Sequence, residues 1–234
     1  MTHGRDQPLP GHDMADLASR TKGFMPDDEA AALRSAAATT APGVWLEIGT
    51  YCGKSTVHLG AVAAERGSHL VTLDHHHGSE ENQPGWTWHD QSLVDPRTGR
   101  LDTLPSLRRT LDDARLESAV SVLVATTQQV APWWTSPLTL LFLDGGHTEE
   151  TAQHDYAAFA RHLLPDGVLA VHDVFPDPRD GGQPPWHVVQ RALAEGTFTQ
   201  VGVYGSLRVL RRTRVACAEP MSGLSGTAGQ DPHP

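Results

Sequence analysis

Five apolar segments of this sequence each end in polar or glycine residues that could bind a ligand or take part in catalysis. In chain order these residues are Glu47, Gly49 and Gly53; Asp74; Thr126, Thr127 and Gln128; Asp144, Gly145, Gly146 and His147; and His172 and Asp173. Carboxylates and imidazoles can hold hydroxyl groups, accept protons or bind a divalent cation. If the segments are parallel strands of one sheet, their carboxyl ends meet at the edge where α/β proteins bind ligands. The sequence therefore predicts a single site along that edge.

The stretch LEIGTYCGKST ends like a phosphate-binding loop, but its glycine spacing is different. A P-loop has four residues between its two glycines, whereas three separate Gly49 from Gly53. The dinucleotide pattern G-x-G-x-x-G would need glycine where Tyr51 stands. The carboxylate of Glu47 suits a cationic or hydroxyl-rich ligand and would repel a triphosphate, and Lys54 is interpreted as a solvated lysine in the first turn of a helix.

A chain in which strands alternate with helices would bring these residues together, because its strands form one parallel sheet. The apolar runs predict parallel strands at residues 44–48, 69–73, 119–125, 138–144 and 168–173. Helices are predicted between them at residues 54–66, 102–115 and 149–163. A further helix at 186–195 leads to residues 198–212, which are predicted to form a closing hairpin. The expected fold is an α/β, Rossmann-like, mostly parallel sheet with helices on both faces and a C-terminal antiparallel hairpin strand.

Length and composition limit the class of protein. The 234 residues fit one domain, expected at residues 13–212, between a disordered N-terminus (1–12) and a flexible tail (213–234). The net charge of −10 argues against nucleic acid or an anionic membrane as a partner. Two cysteines, the absence of a long apolar run and an N-terminus without an apolar signal core favour a cytoplasmic protein.

Residues 75–101 form an unusually long connection after the second strand, rich in Trp and His. Trp86, Trp88 and His89 could form a lid or a wall for a bound substrate, since aromatic faces suit sugar or phenolic rings. An ordered surface loop is the equal alternative. Of the three consecutive histidines 75–77, we expect His75 to lie near a bound ligand.

The segments WLEIGTYCGKST, LVTLD and LLFLDGGHTEETAQHDYAAFARHLLPDGVLAVHDV resemble the class I S-adenosylmethionine-dependent methyltransferases, in particular the small, metal-dependent O-methyltransferase-like group. The resemblance covers roughly residues 40–212, and one departure is Asp166, where that group usually has glycine. It implies that Asp74 binds the ribose hydroxyls and that Glu47 lies near the methionyl end. The implied cofactor contacts are Glu47, Gly49, Thr50, Gly53, Ser55, Thr56, Asp74, His75, Thr126, Thr127 and Asp144.

Methyl transfer to a hydroxyl requires removal of its proton, and the sequence offers two devices for this. His147 could act as a general base beside the catalytic Asp144, worth about 10²–10⁴-fold in rate. Alternatively, the resemblance implies a divalent cation, most simply Mg²⁺, held by Asp144, His172 and Asp173, although His172 stands where that group has a carboxylate or amide. The two devices can coexist.

The leading hypothesis is an S-adenosylmethionine-dependent O-methyltransferase that acts on a hydroxyl of a small molecule, such as a sugar or a natural-product intermediate, and forms a homodimer. A NAD(P)-dependent oxidoreductase would share the sheet, but the dinucleotide motif is missing. A non-catalytic cofactor-binding protein would have no need of the Asp and His residues at the fourth and fifth strand ends.

Overall fold

The computed structural model describes residues 7–214. Within them the strands are β1 (Val44–Ile48), β2 (His69–Asp74), β3 (Val120–Val124), β4 (Leu138–Leu143), β5 (Leu163–Val171), β6 (Phe198–Tyr204) and β7 (Leu207–Arg212). The helices are α1 (Gly11–Arg20), α2 (Asp27–Ala38), α3 (Lys54–Arg66), α4 (Leu104–Ala114), α5 (Thr127–Val130), α6 (Glu149–Phe159) and α7 (Pro184–Ala194). The disorder expected for residues 1–12 and the tail expected at 213–234 fall mostly outside the described residues, although α1 already begins at Gly11.

The seven strands form one sheet in the order β3-β2-β1-β4-β5-β7-β6. Strands β1 to β5 are parallel, whereas β7 runs antiparallel to β5 and pairs with β6 in a hairpin. This confirms the predicted fold class. Strands β2 and β3 follow on one side of β1, and β4 and β5 follow on its other side, so the strand order switches between β1 and β4. In α/β sheets, ligands bind in the crevice at such a switch point.

Helices cover both faces of the sheet because side chains along each central strand alternate between two apolar cores. In β1, Trp45 packs into the core beneath α1 to α4, and its neighbour Leu46 packs into the core beneath α6 and α7. All six residues of β4 are buried. The sheet is therefore a rigid platform whose strand ends are fixed relative to one another.

The start of β5 differs from the prediction. The strand begins at Leu163, five residues earlier than expected, because the Pro-Asp-Gly turn at 165–167 is incorporated as an irregularity in its pairing with β4. Asp166 has φ = +65°, a left-handed conformation that favours glycine and that Asp tolerates better than most residues. Glycine would adopt the same backbone conformation without this strain.

No helix among residues 7–214 combines the length and the apolar character needed to cross a bilayer.

Candidate active site

A cleft of about 750 Å³ lies over the carboxyl ends of strands β1 to β5. Several residues predicted to bind the cofactor line it, namely Gly49, Thr50, Ser55, Asp74, His75, Thr126, Thr127 and Asp144. Glu47, Gly53 and Thr56 lie behind this surface and do not line the cleft. The structure thus brings together the ends of all five parallel strands, as predicted, and it separates residues that face the cleft from residues that support its wall.

The glycine turn after β1 is needed for close packing. Gly49 has φ = +87°, and a Cβ there would overlap the carbonyl of Asp144 at the end of β4. Gly53 has φ = +94° and immediately precedes α3; a Cβ there would lie 2.7 Å from Leu107 Cδ1 of α4. The first glycine therefore draws two strand ends together, and the second lets α3 approach α4.

Asp74 fixes this turn with its carboxylate. Its Oδ2 accepts hydrogen bonds from the amides of Thr50 at 3.0 Å and Tyr51 at 2.9 Å, while Oδ1 accepts from the amide of His76 at 2.7 Å. The Oγ1 of Thr50 is buried, belongs to a residue that lines the cleft and has no hydrogen-bond partner among the described residues. Buried polar atoms are usually paired, so this hydroxyl fits a ligand that supplies its partner.

Glu47 is fully buried and links β1 to α3. Its carboxyl oxygens accept hydrogen bonds from Ser55 Oγ at 2.6 Å and Thr56 Oγ1 at 2.7 Å. Burial raises the pKa of Glu47 to about 8, although the two hydroxyls act in the opposite direction. At neutral pH this side chain is therefore largely a neutral carboxylic acid that supports the wall of the cleft.

We predict that the stability of Glu47→Gln relative to the wild type increases as the pH rises. The pKa of Glu47 rises from its ordinary 4.5 to about 8 on folding, so the folded state binds the extra proton between these values. Wild-type stability should fall by about 1.4 kcal/mol per pH unit across that window, and glutamine has no proton to lose. Urea unfolding of both proteins at about pH 5 and about pH 8 measures this difference. An equal change in the free energy of unfolding between the two pH values for wild type and variant would contradict the prediction.

Asp144, His147 and Asp173 come together at the ends of β4 and β5. Each offers one ligand atom, and these atoms all lie within 4.8 Å of one another. His147 Nε2 is 3.3 Å from Asp173 Oδ2, and Asp173 itself has φ = +53°, a left-handed conformation that is rare outside glycine. The two carboxylates suit Mg²⁺ or Mn²⁺, whereas the imidazole suits a softer first-row metal such as Fe²⁺ or Zn²⁺.

His172 was predicted to join this metal site, but the structure places its ring elsewhere. The ring is buried, with Nδ1 3.0 Å from Asp144 Oδ1 and Nε2 2.6 Å from Glu29 Oε2. Burial by itself would lower the pKa of His172, but the charge of Asp144 and hydrogen bonds with Asp144, Asp173 and Glu29 raise it to about 12. With both nitrogens occupied, His172 has no atom left for a metal, and His147 takes its place in the cluster.

Residues 75–101 leave the sheet as a loop that is tied at its base. The amide of Thr103 donates to the carbonyl of His76 at 3.1 Å, and His76 Nδ1 lies 2.7 Å from Thr103 Oγ1. His77 Nδ1 lies 2.9 Å from the carbonyl of Leu101. Two of the three consecutive histidines therefore hold the ends of the loop together, while His75 lines the cleft.

The loop contributes aromatic side chains to the cleft. Trp86 and Trp88 line it with about half of their surface exposed, whereas His89 points away, with Nδ1 2.9 Å from the carbonyl of Asn82. Trp88 contacts Phe24, whose ring also lies 5.4 Å from that of Tyr51. Phe24 comes from the short connection between α1 and α2, which carries no motif, so sequence reasoning did not find it.

Two acidic residues of the cleft had been assigned no role from the sequence. Glu81 of the loop has Oε2 3.2 Å from His147 Nδ1. Asp155 on α6 is buried, and its Oδ1 has no hydrogen-bond partner within residues 7–214. Burial raises the pKa of Asp155 to about 7, against a smaller effect of Thr127. Glu81 thus fixes the His147 ring, and Asp155 gives the cleft a carboxyl group that can be neutral.

The sheet order and the site at its switch point define an α/β methyltransferase of class I. The chain belongs to the family described as "Methyltransferase domain", whose model matches residues 46–174, more than half of the chain. This confirms the predicted S-adenosylmethionine-dependent class of enzyme and removes the oxidoreductase alternative.

Solved structures show the same fold at low sequence identity. The O-methyltransferase NovP is 16% identical, with a TM-score of 0.60, and the match covers 80% of each chain. An O-methyltransferase from Bacillus cereus in complex with SAH is 15% identical, with a TM-score of 0.58, covering 88% of this chain and 92% of that one. TomG from Streptomyces achromogenes, an O-methyltransferase of tomaymycin synthesis solved with SAM, is 16% identical, with a TM-score of 0.54 and the same coverage.

Proposed function

We propose that this protein transfers a methyl group from S-adenosylmethionine to a hydroxyl of a small molecule, such as a sugar or a natural-product intermediate, with the help of a divalent cation. The observation that carries the proposal is the cluster of Asp144, His147 and Asp173 within one cleft, beside the glycine turn. A non-catalytic binding protein would gain nothing from two carboxylates held against an imidazole. The similar O-methyltransferases bound to SAM or SAH support the choice of cofactor.

The cofactor is assigned to the β1–β2 side of the cleft. The glycine turn, the free Thr50 hydroxyl and Asp74 line this side, and Thr126 and Thr127 lie where the adenine ring is expected. Asp74 already accepts three amides, but a carboxylate has about four acceptor sites and can still receive a ribose hydroxyl. When bound, S-adenosylmethionine supplies an activated methyl group on sulfur and leaves as S-adenosylhomocysteine.

The acceptor is assigned to the part of the cleft between the aromatic residues and the cluster. Trp86, Trp88 and Phe24 provide faces on which a sugar or phenolic ring can stack. Such packing orients the acceptor hydroxyl toward Asp144 and Asp173, so that most of the catalytic effect comes from positioning.

His147 is assigned as the general base. Glu81 holds its Nδ1, which leaves Nε2 toward Asp173 and the cleft to receive the proton that the acceptor loses. Asp144 and Asp173 are assigned as the residues that would hold the metal, and a cation there would lower the pKa of the acceptor hydroxyl.

Asp74→Ala is expected to weaken binding of S-adenosylhomocysteine by at least about tenfold, since hydrogen bonds to a charged group are worth roughly 1.5–3 kcal/mol. The change removes both the ribose contact and the support of the amides of Thr50 and Tyr51. Asp95→Ala is a matched control, because Asp95 also holds a turn, through the amide of Arg97, but lies outside the cleft. Calorimetry measures both, and unchanged affinity in Asp74→Ala would contradict the assignment.

A further inference from the structure

His172 connects the cluster at the ends of β4 and β5 with a distant helix. On one side, its Nδ1 lies 3.0 Å from Asp144 Oδ1 and 3.4 Å from Asp173 Oδ1. On the other side, its Nε2 lies 2.6 Å from Glu29 Oε2. The imidazole therefore bridges three carboxylates, two of which line the cleft, and Glu29 is the only one of the three that does not.

Glu29 is an unusual residue for this position. It lies in the first turn of α2, before the segment that the family model matches, and it is 4% exposed although Asp27 and Asp28 beside it are exposed. The amide of Ser206 donates to its Oε1 at 2.6 Å, and Ser206 Oγ lies 3.1 Å from its Oε2. A Cβ at Gly205 would overlap Oε1, so the β6–β7 turn is shaped around this carboxylate.

These contacts leave the His172 ring a single orientation. Carboxylates only accept hydrogen bonds when ionised, so each ring nitrogen must donate toward its partner. Asp144 and Asp173 then give one oxygen each to His172 and keep the other oxygen for the cleft; the second oxygen of Asp173 lies 3.3 Å from His147 Nε2. Rotation of either carboxylate would break its contact with a ring that Glu29 holds fixed.

We propose that Glu29 is a positioning residue that, through His172, orients Asp144 and Asp173 for the divalent cation. The inference rests on the metal part of the proposed function and deepens it. Partners behind metal ligands typically contribute about 10–100-fold in metal affinity because they fix the orientation of the ligands. Glu29 would thus make α2, a helix outside the matched segment, part of the active site.

The test is direct binding of Mn²⁺, followed by electron paramagnetic resonance, to the full-length wild type and to Glu29→Gln. Glutamine keeps the shape of Glu29 but removes its charge. The dissociation constant for Mn²⁺ should rise by about 10–100-fold, while S-adenosylhomocysteine affinity stays unchanged. Glu195→Gln is the matched control: Glu195 accepts a 2.6 Å hydrogen bond from Tyr156 at the far end of α7, and its loss should leave Mn²⁺ binding unchanged.

A pair of variants at His172 tests the same connection between Glu29 and the cluster if Glu29→Gln does not fold. In His172→Asn the amide replaces Nδ1 and can still donate to Asp144, whereas in His172→Gln it replaces Nε2 and reaches only Glu29. His172→Asn should bind Mn²⁺ more tightly than His172→Gln, and the reverse order would overturn the inference.

The outcomes separate this inference from the proposed function. Equal Mn²⁺ affinity in the wild type and Glu29→Gln, even with a lower melting temperature for the variant, would show a purely structural contact and overturn the inference alone. A wild-type protein that binds no Mn²⁺ would overturn both the metal part of the proposed function and the inference that rests on it.

Discussion

Replacing His147 with alanine is expected to lower kcat by about 10²–10⁴-fold, the usual contribution of a general base, while S-adenosylhomocysteine binds with unchanged affinity. The side chain lies where it can receive the acceptor proton, with Glu81 against Nδ1 and Nε2 directed to Asp173. Only the transition state uses this proton transfer, so the loss should appear in kcat. Turnover is measured as release of S-adenosylhomocysteine, with the best acceptor found in a panel of phenols and glycosides.

A matched control for His147→Ala is His187→Ala. His187 also has Nδ1 close to a glutamate, 2.8 Å from Glu149 Oε2, but it lies outside the cleft and should not affect turnover. A full rate in His147→Ala would remove the general base from the proposal. A loss of Mn²⁺ binding in that variant would instead identify His147 as a third metal ligand, in agreement with its place in the cluster.

Removal of the metal is expected to have a comparable or larger effect. Chelation should lower turnover by at least about 100-fold, because charge stabilisation by a metal is worth several kcal/mol, and added Mg²⁺ or Mn²⁺ should restore it. Asp173→Ala should cause a similar loss that added metal does not restore, since one of the carboxylates in the cluster is gone.

The control for Asp173→Ala is Asp177→Ala. Asp177 lies four residues further along the same loop, pairs with Arg179 on the surface and does not line the cleft. Its replacement should leave turnover and its metal dependence unchanged. Full activity of the wild type after exhaustive chelation would refute the metal. If the base and the metal act on the same proton, the losses from His147→Ala and Asp173→Ala should not add.

Much of the fold could be predicted because its signals are local. Continuous apolar runs mark strands that are buried on both faces, and residues such as Asp74 and Asp144 follow the runs directly, so their place at the sheet edge needs no knowledge of distant contacts. The glycine spacing alone separated the turn after β1 from a P-loop. The least local elements were the least accurate: β5 began earlier than predicted because its pairing with β4 accommodates the turn before it.

The residues that complete the candidate site depended on contacts between distant parts of the chain. His172 and Asp173 are neighbours in sequence, but successive side chains at the end of a strand point in different directions, so one ring turned inward and one carboxylate turned toward the cleft. Glu29 contacts His172, which lies 143 residues away in the sequence, and Glu81 contacts His147, which lies 66 residues away. Neither glutamate carries a local signal that distinguishes it from its exposed acidic neighbours.

The sequence by itself determined the sheet and the strand ends at which the chemistry lies, because hydrophobic periodicity and strand-end position are properties of consecutive residues. The methyltransferase class came from the resemblance of three of its segments to that family. Only the tertiary structure decided which imidazole joins the two aspartates, which carboxylate holds it and which predicted cofactor residues face the cleft. These arrangements depend on the direction of each side chain and on which distant residues pair with the buried charged groups. The packing of the helices on the sheet fixes the side-chain directions and these pairings.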